Sequence, residues 1–187
     1  MGGIRRHGRG ADRGHELSAV TVREATGDDW PQIWTIVREV IREQTTFAYD
    51  PGMGEADARQ MWMLGAPART VVAVSGERVL GTANMYPNRP GPGSHVASAS
   101  FMVDVAARGR RVGRTLVEDM IGWARREGFA AVQFNAVVET NASAVHLYED
   151  LGFRTIGIAP GAFRHPIEGD VGLRIMWLDL HDETPPG

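Results

Sequence analysis

Arg108 to Arg114 read RGRRVGR and stand between an apolar run, SFMVDV, and a segment of helical period, TLVEDMIGWARR. A strand that feeds directly into a turn opening a helix aims unpaired backbone N–H groups and the positive helix end at one point. That arrangement makes an anion site. Gly109 and Gly113 let a phosphate approach the main chain closely, and Arg108, Arg110, Arg111 and Arg114, with Val112 among them, add positive charge. The stretch is neither a P-loop, lacking Gly-Lys-Ser/Thr, nor the Gly-x-Gly-x-x-Gly dinucleotide fingerprint. Read alone, it fits a phosphate cradle and a solvated basic turn equally well.

A second constellation follows after one more strand-like run: NASAVHLYEDLGF, Asn141 to Phe153. Asn141 is suited to cap a helix N-terminus and Gly152 to stop it, so a short, well-bounded helix is expected between them. Ala144, Leu147, Tyr148 and Leu151 recur at helical spacing on one apolar stripe. From periodicity alone Tyr148 reads as a core aromatic whose hydroxyl finds a partner.

The elements around these stretches alternate. AVTVRE has strand character, and WPQIWTIVREVIRE repeats apolar residues at helical spacing with Pro31 tolerated in its first turn. EADARQMWML predicts a second helix, and TVVAVSGERVLGTANMY a hairpin turning at Ser75 to Arg78. PNRPGPGS must be an exposed loop, and ASASFMVDV is the strand that reaches the basic stretch. Then follow a helix from Gly113 to Glu127, the strand AAVQFNAVV, the helix SAVHLYEDL, and the strands FRTIGIA and GLRIMWLDL. Strands interleaved with helices predict an α+β (layered α/β) domain: a mixed, mostly antiparallel central sheet with helices on both faces.

Composition bounds the rest. A chain of 187 residues, 43% hydrophobic, is expected to form one domain, about residues 19–180. The opening MGGIRRHGRGADRGHELS, residues 1–18, lacks an apolar period and is expected to be a flexible arm, with a loose tail at 181–187. A net charge of -3 argues against a protein that coats nucleic acid. With no cysteine the chain holds no disulfide, thiolate metal site or cysteine nucleophile, and its six histidines show no metal-ligand spacing. No apolar run approaches the ~20 residues that span a bilayer, and no secretory leader is visible, so a cytoplasmic location without membrane partners is expected.

Together the two stretches resemble the acyl-coenzyme A site of the GCN5-related N-acetyltransferase (GNAT) superfamily. The family's coenzyme motif runs Gln or Arg, two residues, Gly, one residue, Gly or Ala; Arg108-Gly-Arg-Arg-Val-Gly113 matches it at the first and last positions. Arg111 replaces the first signature glycine. The second motif, Asn-x-x-Ala-x-x-Leu-Tyr-x-x-Leu-Gly-Phe, is matched in full by Asn141, Ala144, Leu147, Tyr148, Leu151, Gly152 and Phe153. The resemblance covers roughly Val20 to Leu180.

This resemblance implies the family fold, acetyl-CoA as co-substrate without a metal, and direct transfer of acetyl to an amine. It implies that the strand carrying Met102, Val103 and Val105 pairs its backbone with the pantetheine arm and that amides of Arg108 to Arg114 hold the pyrophosphate. Asn141 would bond the arm near its middle. Tyr148 would stand beside the thioester sulfur and protonate the departing thiolate. Many relatives place a carboxylate base on the strand that here reads SASFMV; Ser98 and Ser100 could relay through water instead, and Glu139, His95 and His146 are further candidates.

Acceptor residues follow from likeness to phosphinothricin acetyltransferase-like and small amino-acid acetyltransferase members. The segments REQTTFAYDPGM, QFNAVVETN and PGAFRHPIEGDVGLRIMWLDL point to Phe47, Asn135, Phe163 and Arg164 as acceptor-site walls. Arg164 is suited to hold an acceptor carboxylate bidentately, although AFRHP reads equally well as a surface turn. The expected activity is therefore an N-acetyltransferase for a small amine, with a homodimer left open. Its alternatives are a protein or peptide N-acetyltransferase and a non-catalytic acyl-CoA sensor.

Overall fold

The computed structural model describes residues 19–181. The expectations placed on residues 1–18 and on the tail beyond 181 lie outside the described residues. The chain runs β1 (Thr21–Glu24), α1 (Trp30–Glu43), α2 (Glu55–Trp62), β2 (Arg69–Ser75), β3 (Arg78–Pro87), β4 (Val96–Val103), α3 (Val112–Arg126), β5 (Ala131–Val138), α4 (Ala142–Asp150), β6 (Arg154–His165) and β7 (Gly169–Asp179). The seven strands form one sheet in the order β1-β2-β3-β4-β5-β7-β6. The β4–β5 pair is parallel and every other pair is antiparallel.

Period-two alternation divides the core between the two faces. On one face Val72, Val74, Val79 and Met102 pack with Ile33, Val37 and Ile41 of α1 and with Ala58 and Trp62 of α2. On the other, Val71, Ala73, Leu80, Ala83, Met85 and Ala97 pack with Leu116, Val117, Met120 and Ala124 of α3, and the cluster continues through Phe134 to α4. α1 forms where the sequence predicts, with Pro31 in its first turn and Ile33, Ile36, Val37, Val40 and Ile41 buried along one stripe. Among the described residues no helix is long and apolar enough to cross a membrane.

One element runs further than its sequence suggests. PGAFRH, read as loop or turn, continues β6 to His165, with Phe163 facing Val171 and Arg164 facing Asp170. The ladder shifts between Ala159 and Phe163, and Gly161 sits there at φ +62°. This bulge absorbs the Pro160-Gly161 pair, so the strand bends instead of ending.

Candidate active site

The site begins where two strands part. β4 and β5 are in parallel register only at Val96–Ala131 and Ala97–Val132. Beyond Ala97 the strands diverge, and β4 keeps its ladder with β3 as far as Val103, so its β5-facing edge carries unpaired backbone groups. Between the diverging strands lies a cleft of about 980 Å³ lined by Ser98 to Val103 of β4 and Phe134 to Val138 of β5. Such an edge can accept an extended ligand arm through main-chain hydrogen bonds.

At one end of the cleft stands the basic loop. The Asp104 carboxylate caps the turn before it, accepting from the Ala106 amide at 2.8 Å, and also holds Arg78 at 2.8 Å. The chain then passes through two left-handed residues, Gly109 at φ +80° and Arg111 at φ +61°, and α3 opens at Val112. The first bond closing the helix runs from the Thr115 amide to the Arg111 carbonyl at 3.0 Å. The amides of Val112, Gly113 and Arg114 thus occupy the first turn, where no helical carbonyl is available to them, and the positive end of α3 opens on the cleft. Arg111, the substitute for a signature glycine, adopts the backbone conformation a glycine would take.

The loop arginines divide in their roles. Arg108, Arg111 and Arg114 line the cleft, whereas Arg110 reaches away to Ser75 at 3.2 Å. Arg114 is tied to Asp150 at 2.9 Å and so fastens α3 to α4. Arg108 is largely exposed, 3.9 Å from Glu43. Gly109, Val112, Gly113, Val103 and Val105 line the cleft as well. Met102 borders it while its side chain packs into the α1–α2 core.

α4 supplies Asn141 and Tyr148. Asn141 caps the helix as its sequence position predicts: its Oδ1 accepts from the Ala144 amide at 3.3 Å and from the Ser143 hydroxyl at 3.1 Å. Tyr148 is set among Phe134, Phe153 and Phe101, with ring centroids at 4.7, 5.8 and 6.4 Å. It is part of the apolar stripe, yet it also borders the cleft, and among the described residues no group hydrogen-bonds its hydroxyl. Burial pushes the phenol well above its ordinary pKa, which keeps it protonated.

The other end of the cleft is walled by the α1–α2 connection, Thr45 to Tyr49, and by Tyr86, Ser98, Ser100, Asn135, Phe163 and Leu173. Phe47, Asn135 and Phe163 therefore line the same cleft, as do Ser98 and Ser100. Arg164 does not join them: it is exposed on β6 and paired with Asp170 at 3.3 Å. Glu139 also stays outside, its carboxylate accepting from the Gly172 amide across the β5–β7 ladder. His95 is exposed beyond the start of β4, and His146 is exposed on α4. Among the described residues no group of three or more His, Asp or Glu could hold a metal ion.

Comparison with known proteins agrees with this geometry. The model of the acetyltransferase (GNAT) family matches residues 34–153. The chain belongs to this family. A GCN5-related N-acetyltransferase from Kribbella flavida is 57% identical, with a TM-score of 0.84 over 86% of this chain and 98% of that one. A phosphinothricin acetyltransferase from Sinorhizobium meliloti, solved in complex with acetyl-CoA, shares the fold at 21% identity and a TM-score of 0.78 over 90% of this chain and 92% of that one. The N-acetyltransferase aca1 of Schizosaccharomyces pombe is 36% identical over 86 residues, 46% of this chain and 41% of that protein. Protein SPT10 of Saccharomyces cerevisiae is 35% identical over the same length, only 13% of that protein.

Tyr49 and Tyr86 are GNAT cleft residues that sequence reasoning missed. Tyr86 faces Ser98 across the β3–β4 ladder, and Tyr49 lines the cleft together with Ser100. A signal for Tyr86 was present: Thr82, Asn84 and Tyr86 alternate on β3 opposite Met102, Ser100 and Ser98 on β4. Polar residues at period two on a buried face ask for a polar cavity or a partner.

Proposed function

We propose that the protein transfers an acetyl group from acetyl-CoA to a primary or secondary amine of a small molecule. The observation that carries this reading is the parting of β4 from β5 over a cleft with the α3 N-terminus at one end and the Tyr148 hydroxyl at its wall. The residues present fit the coenzyme. The first-turn amides of α3 and Arg108, Arg111 and Arg114 suit phosphates, and the unpaired edge of β4 suits the amide-bearing arm. The Asn141 side-chain NH2, left free by the cap its oxygen makes, can donate to that arm.

Acetyl-CoA supplies a thioester carbonyl open to attack; the amine nitrogen forms the new C–N bond as the C–S bond breaks. Tyr148 holds a proton at its phenol oxygen and gives it to the departing sulfur. β4 amides offer hydrogen bonds to the carbonyl oxygen as charge develops on it. Among the described residues no carboxylate borders the acceptor end, and Ser98 and Ser100 pass the amine proton to water.

The Thr45–Tyr49 wall favours a small acceptor over a peptide chain. A thiol-release assay with acetyl-CoA over amino acids, amino amides, polyamines and peptides tests the reading. Turnover with a small amine is expected. Turnover confined to peptides would shift the reading to a protein N-acetyltransferase, and tight acetyl-CoA binding without turnover to a sensor.

A further inference from the structure

The acceptor end of the cleft is neutral. Among the described residues each guanidinium that lines the cleft, Arg108, Arg111 and Arg114, lies on the coenzyme loop, and the one lining carboxylate, Glu43, stands 3.9 Å from Arg108. The acceptor end instead carries hydroxyls and an amide, set between the apolar side chains of Phe47, Phe163 and Leu173. Arg164, which could have held a carboxylate, is turned to Asp170.

Asn135 is fixed in this end by a side-chain chain. Its Oδ1 accepts from Gln133 Nε2 at 2.8 Å, and its Nδ2 donates to Asn88 Oδ1 at 2.7 Å and points to Ser98 Oγ at 3.5 Å. Asn88 and Gln133 do not border the cleft; they orient Asn135 from behind. Ser98 faces Tyr86, and Ser100 and Tyr49 line the same end, so the surface offers donors and acceptors without charge.

We propose that the acceptor is an amine whose recognition group is neutral and both donates and accepts hydrogen bonds, an amide or hydroxyl beside an apolar side chain. Free amino acids and polyamines are disfavoured. A carboxylate buried here would meet no cation and a second ammonium no anion, and an unpaired buried charge costs more than an unpaired buried dipole. Asn135 acts on the acceptor directly, and Asn88 and Gln133 are positioning residues. This inference rests on the acetyltransferase reading above.

Matched acceptors test it: leucinamide, leucinol and leucine, and the same set built on phenylalanine. Their kcat/KM values are expressed per concentration of unprotonated amine, because the amide lowers the amine pKa by itself. The amide and alcohol are expected to exceed the acid at least ~10-fold, the equivalent of about 1.4 kcal/mol. In Asn88→Ala that ratio should fall several-fold, chiefly through KM for the amide, with acetyl-CoA Kd unchanged; Gln133→Ala is the second variant should the first not fold. An acid that matches or exceeds its amide, or a ratio unmoved in a folded variant, would overturn the neutral-acceptor inference and leave the small-amine reading standing. Normal acetyl-CoA binding with turnover of no member of either set would overturn both.

Discussion

The ring centroids of Phe134 and Tyr148 lie 4.7 Å apart at an interplanar angle of 54°, and so β5 and α4 jointly hold the phenol at the wall of the cleft. Phe134 belongs to the strand that leaves β4, and Tyr148 to the helix that follows it. One aromatic contact therefore links the strand that parts from β4 to the helix that carries the Tyr148 hydroxyl. Phe153, stacked on Phe134 at 4.5 Å, braces it from behind.

Burial raises the Tyr148 pKa, so the phenol stays a donor beyond the pH at which a free tyrosine ionises. The pH profile of kcat should accordingly rise as the amine deprotonates and then stay level to about pH 10, the ordinary phenol pKa. A falling limb centred at about pH 10 or below that disappears in Tyr148→Phe would show a phenol without the shielding this packing implies.

Arg111 holds a left-handed conformation, φ +61° and ψ 14°, that costs a non-glycine residue roughly 1 kcal/mol. Arg111→Gly should relieve that strain while adding unfolded-chain entropy of similar size, leaving Tm within a few degrees. Acetyl-CoA binding should weaken by no more than ~5-fold, since the amides of the loop remain. Calorimetry giving a loss of 100-fold or more would mean that the guanidinium, rather than the backbone, dominates coenzyme binding.

Two glycines separate stability from binding. A Cβ on Gly81 would lie 2.9 Å from Val112 Cγ1, 3.1 Å from the Met102 carbonyl oxygen and 3.2 Å from Leu116 Cδ1. Gly81→Ala should therefore displace the start of α3 and destabilise the fold by about 1–3 kcal/mol, read by denaturant titration. At Gly113 the same atom meets only ordinary contacts, Leu147 at 3.6 Å and Val103 at 3.9 Å. Gly113→Val should keep most of the stability and lose acetyl-CoA affinity, because its branched carbons fill space at the helix N-terminus.

Asp29 joins β1 to α1. Both its oxygens accept from Arg23, at 2.7 and 2.8 Å, and Oδ2 also accepts from the Thr26 amide at 2.8 Å. The Arg23 hydrogen bonds, opposed by burial and aided by Thr26, lower its pKa to about 2. A depressed carboxylate stabilises the fold above its unfolded pKa, near 4, and loses that contribution as pH falls towards 2. Asp29→Asn should cost about 2 kcal/mol at pH 7 and almost nothing at pH 2. An equal loss at both pH values would assign the effect to packing.

Much of this was legible in the sequence because local chemistry settled it. Asn141 and Gly152 bound α4, the apolar stripe of α1 fixes its buried face, and the two motifs place the basic loop before β5 and Tyr148 after it in the chain. What escaped depends on distant register. Pro160 and Gly161 look like the end of a strand, and only the ladder with β7 shows a bulge after which Phe163 faces the cleft and Arg164 faces Asp170. Glu139 is plausible as a base until the fold places it outside the cleft lining, with its Oε1 accepting from the Gly172 amide. Asn88, in a Pro-rich loop, offers no signal in the sequence that it supports Asn135 from 47 positions away.

The most direct test of the account is the Tyr148→Phe variant, assayed in parallel for acetyl-CoA Kd by calorimetry and for kcat by thiol release with an acceptor found in the amine screen. Phenylalanine preserves the contacts with Phe134 and Phe153 and removes only the hydroxyl, which bonds no described residue. The account predicts a Kd within about 2-fold of the parent and a kcat lower by roughly 10²-fold, the pattern of an interaction made in the transition state. An unchanged kcat in a folded variant would contradict it, since the thiolate would then leave without a proton from Tyr148.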